Sequence, residues 1–93
     1  MFSLNIKESY QRGHYTKVYS NFEISQICGD IKEVNERVKS LNSDLVEMNI
    51  MDIDKRPNET IIRFFKPGKV GLLTRTISVS EYNPPHQEEF SFI

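Results

Sequence analysis

The stretch SNFEISQICGDIKEVNERVKSLN, residues 20–42, carries the strongest periodic signal in the chain. Its apolar residues recur at intervals of three and four, the spacing that places them on one face of an α-helix. Ser20 and Glu23 fit a capping box at its start, and Asn42 suits the left-handed conformation that ends a helix. The stretch therefore predicts one long amphipathic helix. Its apolar stripe consists of Ile24, Ile27, Ile31, Val34, Val38 and Leu41.

The segments on both sides of this helix have the patterns of β-strands. Phe2, Leu4 and Ile6 alternate with polar residues, and Gly13 marks a turn before a second strand, so an N-terminal hairpin is expected. Pro67 and Gly68 suit a type II turn between the last two strands. The predicted strands are 2–7, 14–19, 45–53, 60–66 and 70–81.

The order β-β-α-β-β-β predicts one small α+β domain over residues 1–93. We expect a mostly antiparallel sheet with the long helix packed on one face, and residues 87–93 as a flexible tail or an added strand. The single helix is the longest crossover, so the pattern excludes a doubly wound parallel fold with a nucleotide crevice at its switch point.

The composition excludes several classes of protein. Its 93 residues are 38% hydrophobic and 27% charged, which is typical of one globular domain. No run approaches the ~18 apolar residues of a membrane helix, and the start of the chain does not resemble a signal peptide. We therefore expect a cytoplasmic protein without a membrane partner. The chain has no alanine but ten isoleucines and seven asparagines, a bias of AT-rich genomes that favours a bacterial, phage or mobile-element origin, and the host cytoplasm if viral.

Residues that could support catalysis or metal binding are few. Cys28 is the single cysteine and is expected to be a small buried apolar residue. His14 and His86 have no third ligand at metal spacing, and Asp52 and Asp54 lack the glycine and distal glutamate of a calcium loop. We predict no catalytic residues, no metal site and no cofactor.

Two groups of residues are candidates for binding. The hairpin mixes tyrosines with cations, a combination found on stacking platforms for single-stranded nucleic acid and also in protein interfaces. A second basic group surrounds the turn at Pro67, beside phenylalanines. The candidate binding residues are Tyr10, Arg12, His14, Tyr15, Lys17, Tyr19, Arg63, Phe65, Lys66 and Lys69.

The three later strands carry apolar residues on both faces, more than one helix can cover. The second face could be covered by curling of the sheet into a partial barrel. A tail bearing Phe90, Phe92 and Ile93 could also fold back on it, or a second protein chain could pack there.

These features favour a small non-enzymatic binding or regulatory protein, an inhibitor or adaptor that contacts another protein or its own copy as a homodimer. The alternative is a binder of nucleic acid or a nucleotide at the hairpin, although the net charge of −1 argues against bulk electrostatic capture of nucleic acid. A third and less favoured interpretation is a small ribonuclease that uses Arg12, His14 and Lys17.

Overall fold

Strands with alternating apolar and polar residues form a single antiparallel sheet. The structure is a computed structural model and describes residues 1–12 and 18–81. Its five strands lie in the order β2-β1-β5-β4-β3, so that β1 and β5 are neighbours inside the sheet. The elements are β1 (Phe2–Gln11), β2 (Val18–Cys28), α1 (Ile31–Leu41), a 3₁₀ helix (Ser43–Glu47), β3 (Asn49–Arg56), β4 (Glu59–Phe65) and β5 (Leu72–Glu81).

The predicted β-β-α-β-β-β order, the antiparallel sheet and the helix on one face are confirmed. The predicted length of the helix is wrong, because α1 has 11 residues and the segment from Ser20 to Cys28 belongs to β2. Phe22, Ile24 and Cys28 also fit a period of two, and pairing with β1 places Ile24 opposite Ile6. This pairing buries part of the stripe that the helical spacing had indicated.

Asp30, rather than Ser20, caps the helix. Its backbone is extended, with φ −146° and ψ 174°, and its Oδ1 accepts a hydrogen bond from the Glu33 amide at 2.8 Å. The Glu33 carboxylate reaches back and accepts from the Gly29 amide at 2.8 Å. This arrangement resembles a capping box, except that Glu33 accepts from the residue before the cap, and it lies ten residues after the predicted one.

The third strand also begins later than predicted. Residues 43–47 form the 3₁₀ helix, in which the Leu45 amide donates to the Asn42 carbonyl at 3.0 Å and the Leu45 side chain enters the core. A bulge between Ile50 and Asp52 shifts the register of β3, so Ile50 and Ile53 face the helix side together. The predicted turn at Pro67 and Gly68 is present, with Gly68 at φ +75° and the Lys69 amide donating to the Lys66 carbonyl.

The two faces of the sheet differ in polarity. The core lies between the sheet and α1 and consists of Leu4, Ile6, Cys28, Val34, Leu45, Ile62, Phe64 and Ile77. On the opposite face, β1 and β5 present short polar side chains, including Asn5 opposite Ser78 and Ser9 opposite Thr74. These two strands therefore need little apolar cover there. Apolar residues on both faces were expected for the three later strands, and this expectation is wrong for most of β5, whereas Phe65 of β4 does lie on the opposite face. The predicted start of the second strand at His14 and the tail 87–93 lie outside the described residues.

The helix is too short to cover its side of the sheet. Eleven residues extend only ~16 Å at 1.5 Å each, whereas the described part of the molecule is 57 Å long. The helix packs against β1 and β2, and the sheet continues beyond its C-terminal end. No helix in the described ranges is long and apolar enough to cross a membrane.

Candidate functional site

A cleft of ≈ 670 Å³ opens where the sheet extends beyond α1. Its floor is formed by β1, β5 and β4, and the loop from Lys66 to Gly71 forms one wall. The floor residues lie on the same face of the sheet as the core residues. Tyr10 lies opposite Leu73 of β5, and Leu73 lies opposite Phe64 of β4. The short helix thus leaves an apolar end of the sheet accessible.

The guanidinium of Arg75 lies in the floor of this cleft and is almost fully buried. Its Nε and Nη2 donate to Glu8 Oε1 at 3.2 and 2.7 Å. Its Nη1 and Nη2 donate to the two carboxylate oxygens of Asp44, each at 2.9 Å, and Nη1 also donates to Asn42 Oδ1 at 3.1 Å. These bonds account for all the N–H groups of an arginine side chain. Arg75 is therefore a structural cation whose donors are occupied within the chain.

Glu8 is buried with Arg75 and has a second partner. The Asn21 Nδ2 amide donates to Glu8 Oε2. Asn21 is the extra residue of a bulge in β2, since Glu8 pairs with Phe22 while Ser9 pairs with Ser20. A bulge redirects a side chain, and here it aims the amide at the buried carboxylate.

Two aromatic rings complete the surroundings of the Arg75 guanidinium. Its Cζ lies 5.7 Å from the ring centroid of Phe22 and 5.3 Å from that of Phe64, within the range of cation–π attraction. We call Glu8, Asn21, Asn42, Asp44 and Arg75 the Arg75 network. The network joins β1, β2, β5 and the turn that follows α1 at one point.

The contact between Asp44 and Arg75 shifts the pKa values of both groups toward their charged forms. The hydrogen bond from Arg75 holds the pKa of Asp44 below its ordinary value, although partial burial acts in the opposite direction. Burial acts to lower the pKa of Arg75, but the hydrogen bonds with Asp44 and Glu8 outweigh it, so the pKa of Arg75 is raised. The floor therefore combines one cation with the side chains of two acidic residues.

The wall nearest the hairpin is aromatic. Tyr10 and Tyr19 stack with ring centroids 5.3 Å apart and 25° between their planes. Gly71 approaches this pair, since a Cβ built on it would lie 3.3 Å from Tyr10 Cδ2 and its φ is +124°. A side chain at residue 71 would therefore be strained and would also press on Tyr10.

The mouth of the cleft is basic. Arg12, Lys66 and Lys69 line it, and no carboxylate in the described ranges lies within ion-pair distance of any of them. Lys66 is near enough to Asp44 to contribute to the lowered pKa of that carboxyl. We call Arg12, Lys66 and Lys69 the rim cations.

The fold brings together residues from both predicted binding groups. Tyr10 and Arg12 from the hairpin line the same cleft as Lys66 and Lys69 from the later turn, and Tyr19 stacks on Tyr10.

The other candidate residues are placed differently. Arg63 and Phe65 point to the opposite face of the sheet, where Arg63 Nη1 pairs with Asp52 Oδ2 at 2.8 Å. They are separated from the cleft because neighbouring residues of a strand alternate between faces. His14, Tyr15 and Lys17 lie outside the described residues.

Sequence reasoning missed the Arg75 network, although alternation carried a signal for it. Glu8 continues the series Leu4 and Ile6, and Arg75 lies between Leu73 and Ile77 in the same register. Two opposite charges at apolar positions of predicted strands indicate a buried pair, since isolated buried charges are costly.

No cluster of His, Cys, Asp or Glu suited to a metal ion occurs in the part of the chain that the structure describes. Comparisons with protein-family models, curated proteins and solved structures give no match to this chain.

Proposed function

We propose that this protein acts by binding another protein, and that the cleft receives an acidic segment of that partner with an apolar anchor residue. Binding without bond chemistry is the mode of action of an inhibitor or an adaptor. The observation that carries the proposal is a cleft that holds apolar side chains beside the Arg75 network and has at its mouth three cations without carboxylate partners in the described ranges.

The charges of the cleft favour an anionic ligand at its mouth. Arg75 cannot interact strongly with a ligand because its donors are bound to Glu8, Asp44 and Asn42. Within residues 1–12 and 18–81 no carboxylate forms an ion pair with the rim cations, so their side chains can pair with carboxylates of a ligand. Complementary charge of this kind steers association and fixes the orientation of a bound segment.

The interior of the cleft favours an apolar anchor. Tyr10, Met48 and Leu73 line it, and Val70 at the loop is 78% exposed. Large side chains that enter a desolvated pocket usually supply most of the binding energy of a protein interface. A leucine or an aromatic residue flanked by aspartate or glutamate fits this combination.

Nucleic acid fits the cleft less well. Asp44 lines the cleft with its side chain 46% exposed, and a phosphate backbone would approach this carboxylate. The whole chain has a net charge of −1, so no long-range attraction supports a polyanion. The experiment must therefore distinguish binding of an acidic peptide from binding of nucleic acid or a nucleotide.

The test is fluorescence anisotropy with labelled peptides that contain one tryptophan or leucine between acidic residues. Peptides of the same composition with lysine in place of the acidic residues, and an oligothymidine, are the comparison probes. We expect the acidic peptides to bind, with an affinity that decreases modestly with salt.

Variants locate the site. Tyr10→Ala should weaken peptide binding at least about fivefold, equivalent to ~1 kcal/mol, because it removes the aromatic wall. The triple variant of Arg12, Lys66 and Lys69 to alanine should weaken it by more than about tenfold. Lys7→Ala is the matched control, since Lys7 is an exposed cation on the opposite face.

Two results would overturn the proposal. Peptide binding that survives the triple variant would place the site elsewhere. Binding of oligothymidine alone, with a log-linear salt dependence of several units, would establish the nucleic-acid interpretation instead.

A further inference from the structure

The two edges of the sheet are protected unequally. β2 and β3 are the edge strands, so one side of each backbone has no neighbouring strand in the described part of the chain. Unpaired edges attract other strands, and proteins usually guard them with charges, bulges or proline. β3 is guarded in this way, since four of its eight residues are charged, it contains a bulge, and Pro57 follows it.

β2 has little of this protection. It is 11 residues long and contains neither lysine nor proline, and Glu23 is its single charged residue. Its bulge lies at Asn21, which leaves the seven residues from Phe22 to Cys28 paired regularly with β1. The outward-facing Ile27 is 47% exposed. The edge of β2 from Phe22 to Cys28 is therefore suited to pairing with another strand.

We propose that two copies of this chain pair antiparallel through β2, with the two-fold axis at Ser25, so that two sheets become one. In this register Ser25 faces its own copy, Ile24 faces Gln26, and Glu23 faces Ile27. Each facing pair joins two even-numbered or two odd-numbered residues. Because residues of a strand alternate between faces, the helix side of one copy continues into the helix side of the other.

The charges exclude one alternative register. A two-fold axis at Glu23 would place two carboxylates directly opposite each other, which is destabilising. With the axis at Ser25, each Glu23 lies opposite an apolar residue, and no like charges of β2 face each other. A two-fold interface must be self-complementary in this sense, because the same strand supplies both sides.

The neighbouring edge of α1 is compatible with a second copy. Arg37 donates to Gln26 Oε1 at 2.8 Å and to Glu33 Oε1 at 3.0 Å, and Glu36 lies beside it. Arg37 is paired with Glu33 of its own chain, so this edge carries one cation and two carboxylates in each copy.

The dimer interface overlaps the cleft at one residue, Phe22, which lines the cleft and lies at the outer end of the paired segment. Tyr19 lies near the start of β2, whereas Ser25 and Ile27 lie near its end, so the two clefts of the dimer would remain accessible at opposite ends of the joined sheet. The dimer can therefore be tested independently of the proposed ligand.

Disulfide trapping tests the register directly. Facing residues of an antiparallel pair have Cβ atoms ~4.5–5.5 Å apart, close to what a disulfide requires. In a Cys28→Ala background, Ser25→Cys should form a covalent dimer on mild oxidation. Glu23→Cys alone should cross-link at least about tenfold more slowly, whereas an equimolar mixture of Glu23→Cys and Ile27→Cys should cross-link readily.

Solution mass provides the second measurement. Light scattering of the native chain should show a mass that doubles with rising concentration. Ile27→Glu should keep the chain monomeric with an unchanged circular dichroism spectrum, because it places a second carboxylate opposite Glu23 of the other copy. Met51→Glu on β3 is the matched control and should leave the dimer intact. A native chain that stays monomeric, with Ser25→Cys cross-linking no faster than Glu23→Cys, would overturn the proposal. So would a dimer that Met51→Glu dissociates and Ile27→Glu does not.

Discussion

Arg75 illustrates how much one side chain can organise in a small domain. Its side chain is 4% exposed, that of Glu8 is 6% exposed, and each is satisfied by hydrogen bonds. Such a pair adds little net stability compared with apolar residues, but the loss of one partner leaves an uncompensated buried charge. The network therefore makes the arrangement of β1, β5 and the 3₁₀ helix specific.

Arg75→Ala should lower the free energy of unfolding by about 3–5 kcal/mol, because it leaves Glu8 buried without its cation. Arg37→Ala removes an exposed pair on the helix and should cost about 1 kcal/mol or less. Urea denaturation measures both. Equal costs for the two variants would show that the burial of Arg75 has no energetic consequence.

Asp44 should give the protein an acid-sensitive component of stability. Its pKa is lowered in the folded state, first by the hydrogen bond from Arg75, so its contribution is present above its ordinary pKa of about 3.9 and is lost as the pH falls below that value. The raised pKa of Arg75 acts only at very alkaline pH and does not affect this range.

Asp44→Asn should therefore flatten the decrease in stability between about pH 4 and pH 2. Thermal unfolding at several pH values, with each protein compared with itself at pH 7, measures this decrease. An identical acid profile for the native chain and the variant would contradict the role of the Asp44–Arg75 contact.

At the scale of elements, the helix begins after Asp30, whereas the helical spacing predicts a start after Ser20. Asp30→Ala should cost about 0.5–2 kcal/mol, because the Glu33 amide loses its acceptor. Ser20→Ala, at the cap position that the helical spacing predicts, should stay within about 0.5 kcal/mol because Ser20 is an exposed residue of β2. Urea denaturation of the two variants decides between the sites, and a larger cost for Ser20→Ala would contradict the observed boundary.

The sequence predicted the order of elements because most strands and the second half of the helix fit one period each. It failed at Ile24 and Ile27, because the apolar residues around them satisfy both periods. Ile24 and Cys28 continue a strand, while Ile24, Ile27 and Ile31 continue a helical stripe. Only pairing with β1, which is a tertiary interaction, selects the strand.

The rim of the candidate site was predictable by residue type but not by position. Arg12 belongs to the hairpin and Lys66 to the later turn, and they meet because β5 lies between β1 and β4. Local patterns do not determine which strands are neighbours, so sequence reasoning left these residues in two separate groups.

At the scale of the whole molecule, Cys28 reports on opening of the fold. It is fully buried, between the end of β2 and the core, so a thiol reagent reaches it only when the sheet and helix separate. Native protein should react slowly and unfolded protein rapidly. Ile27→Cys in a Cys28→Ala background is the matched control and should react rapidly at low concentration, since residue 27 is half exposed. Rapid labelling of native Cys28 would contradict its burial.

The central position of β1 and β5 has a consequence for folding kinetics. The hairpin β1–β2 and the meander β3–β4–β5 each close through short connections, but the sheet is complete only when Phe2 meets Glu81 and Gln11 meets Leu72. Contacts so distant in sequence must overcome the entropy of loop closure first, which places folding in the slower range of milliseconds to seconds. Until that step, β1 presents an open edge on which Glu8 still lacks its arginine. An inward-facing charge makes such an edge a poor template for aggregation, so the same carboxylate that joins the finished sheet also protects the half-formed one.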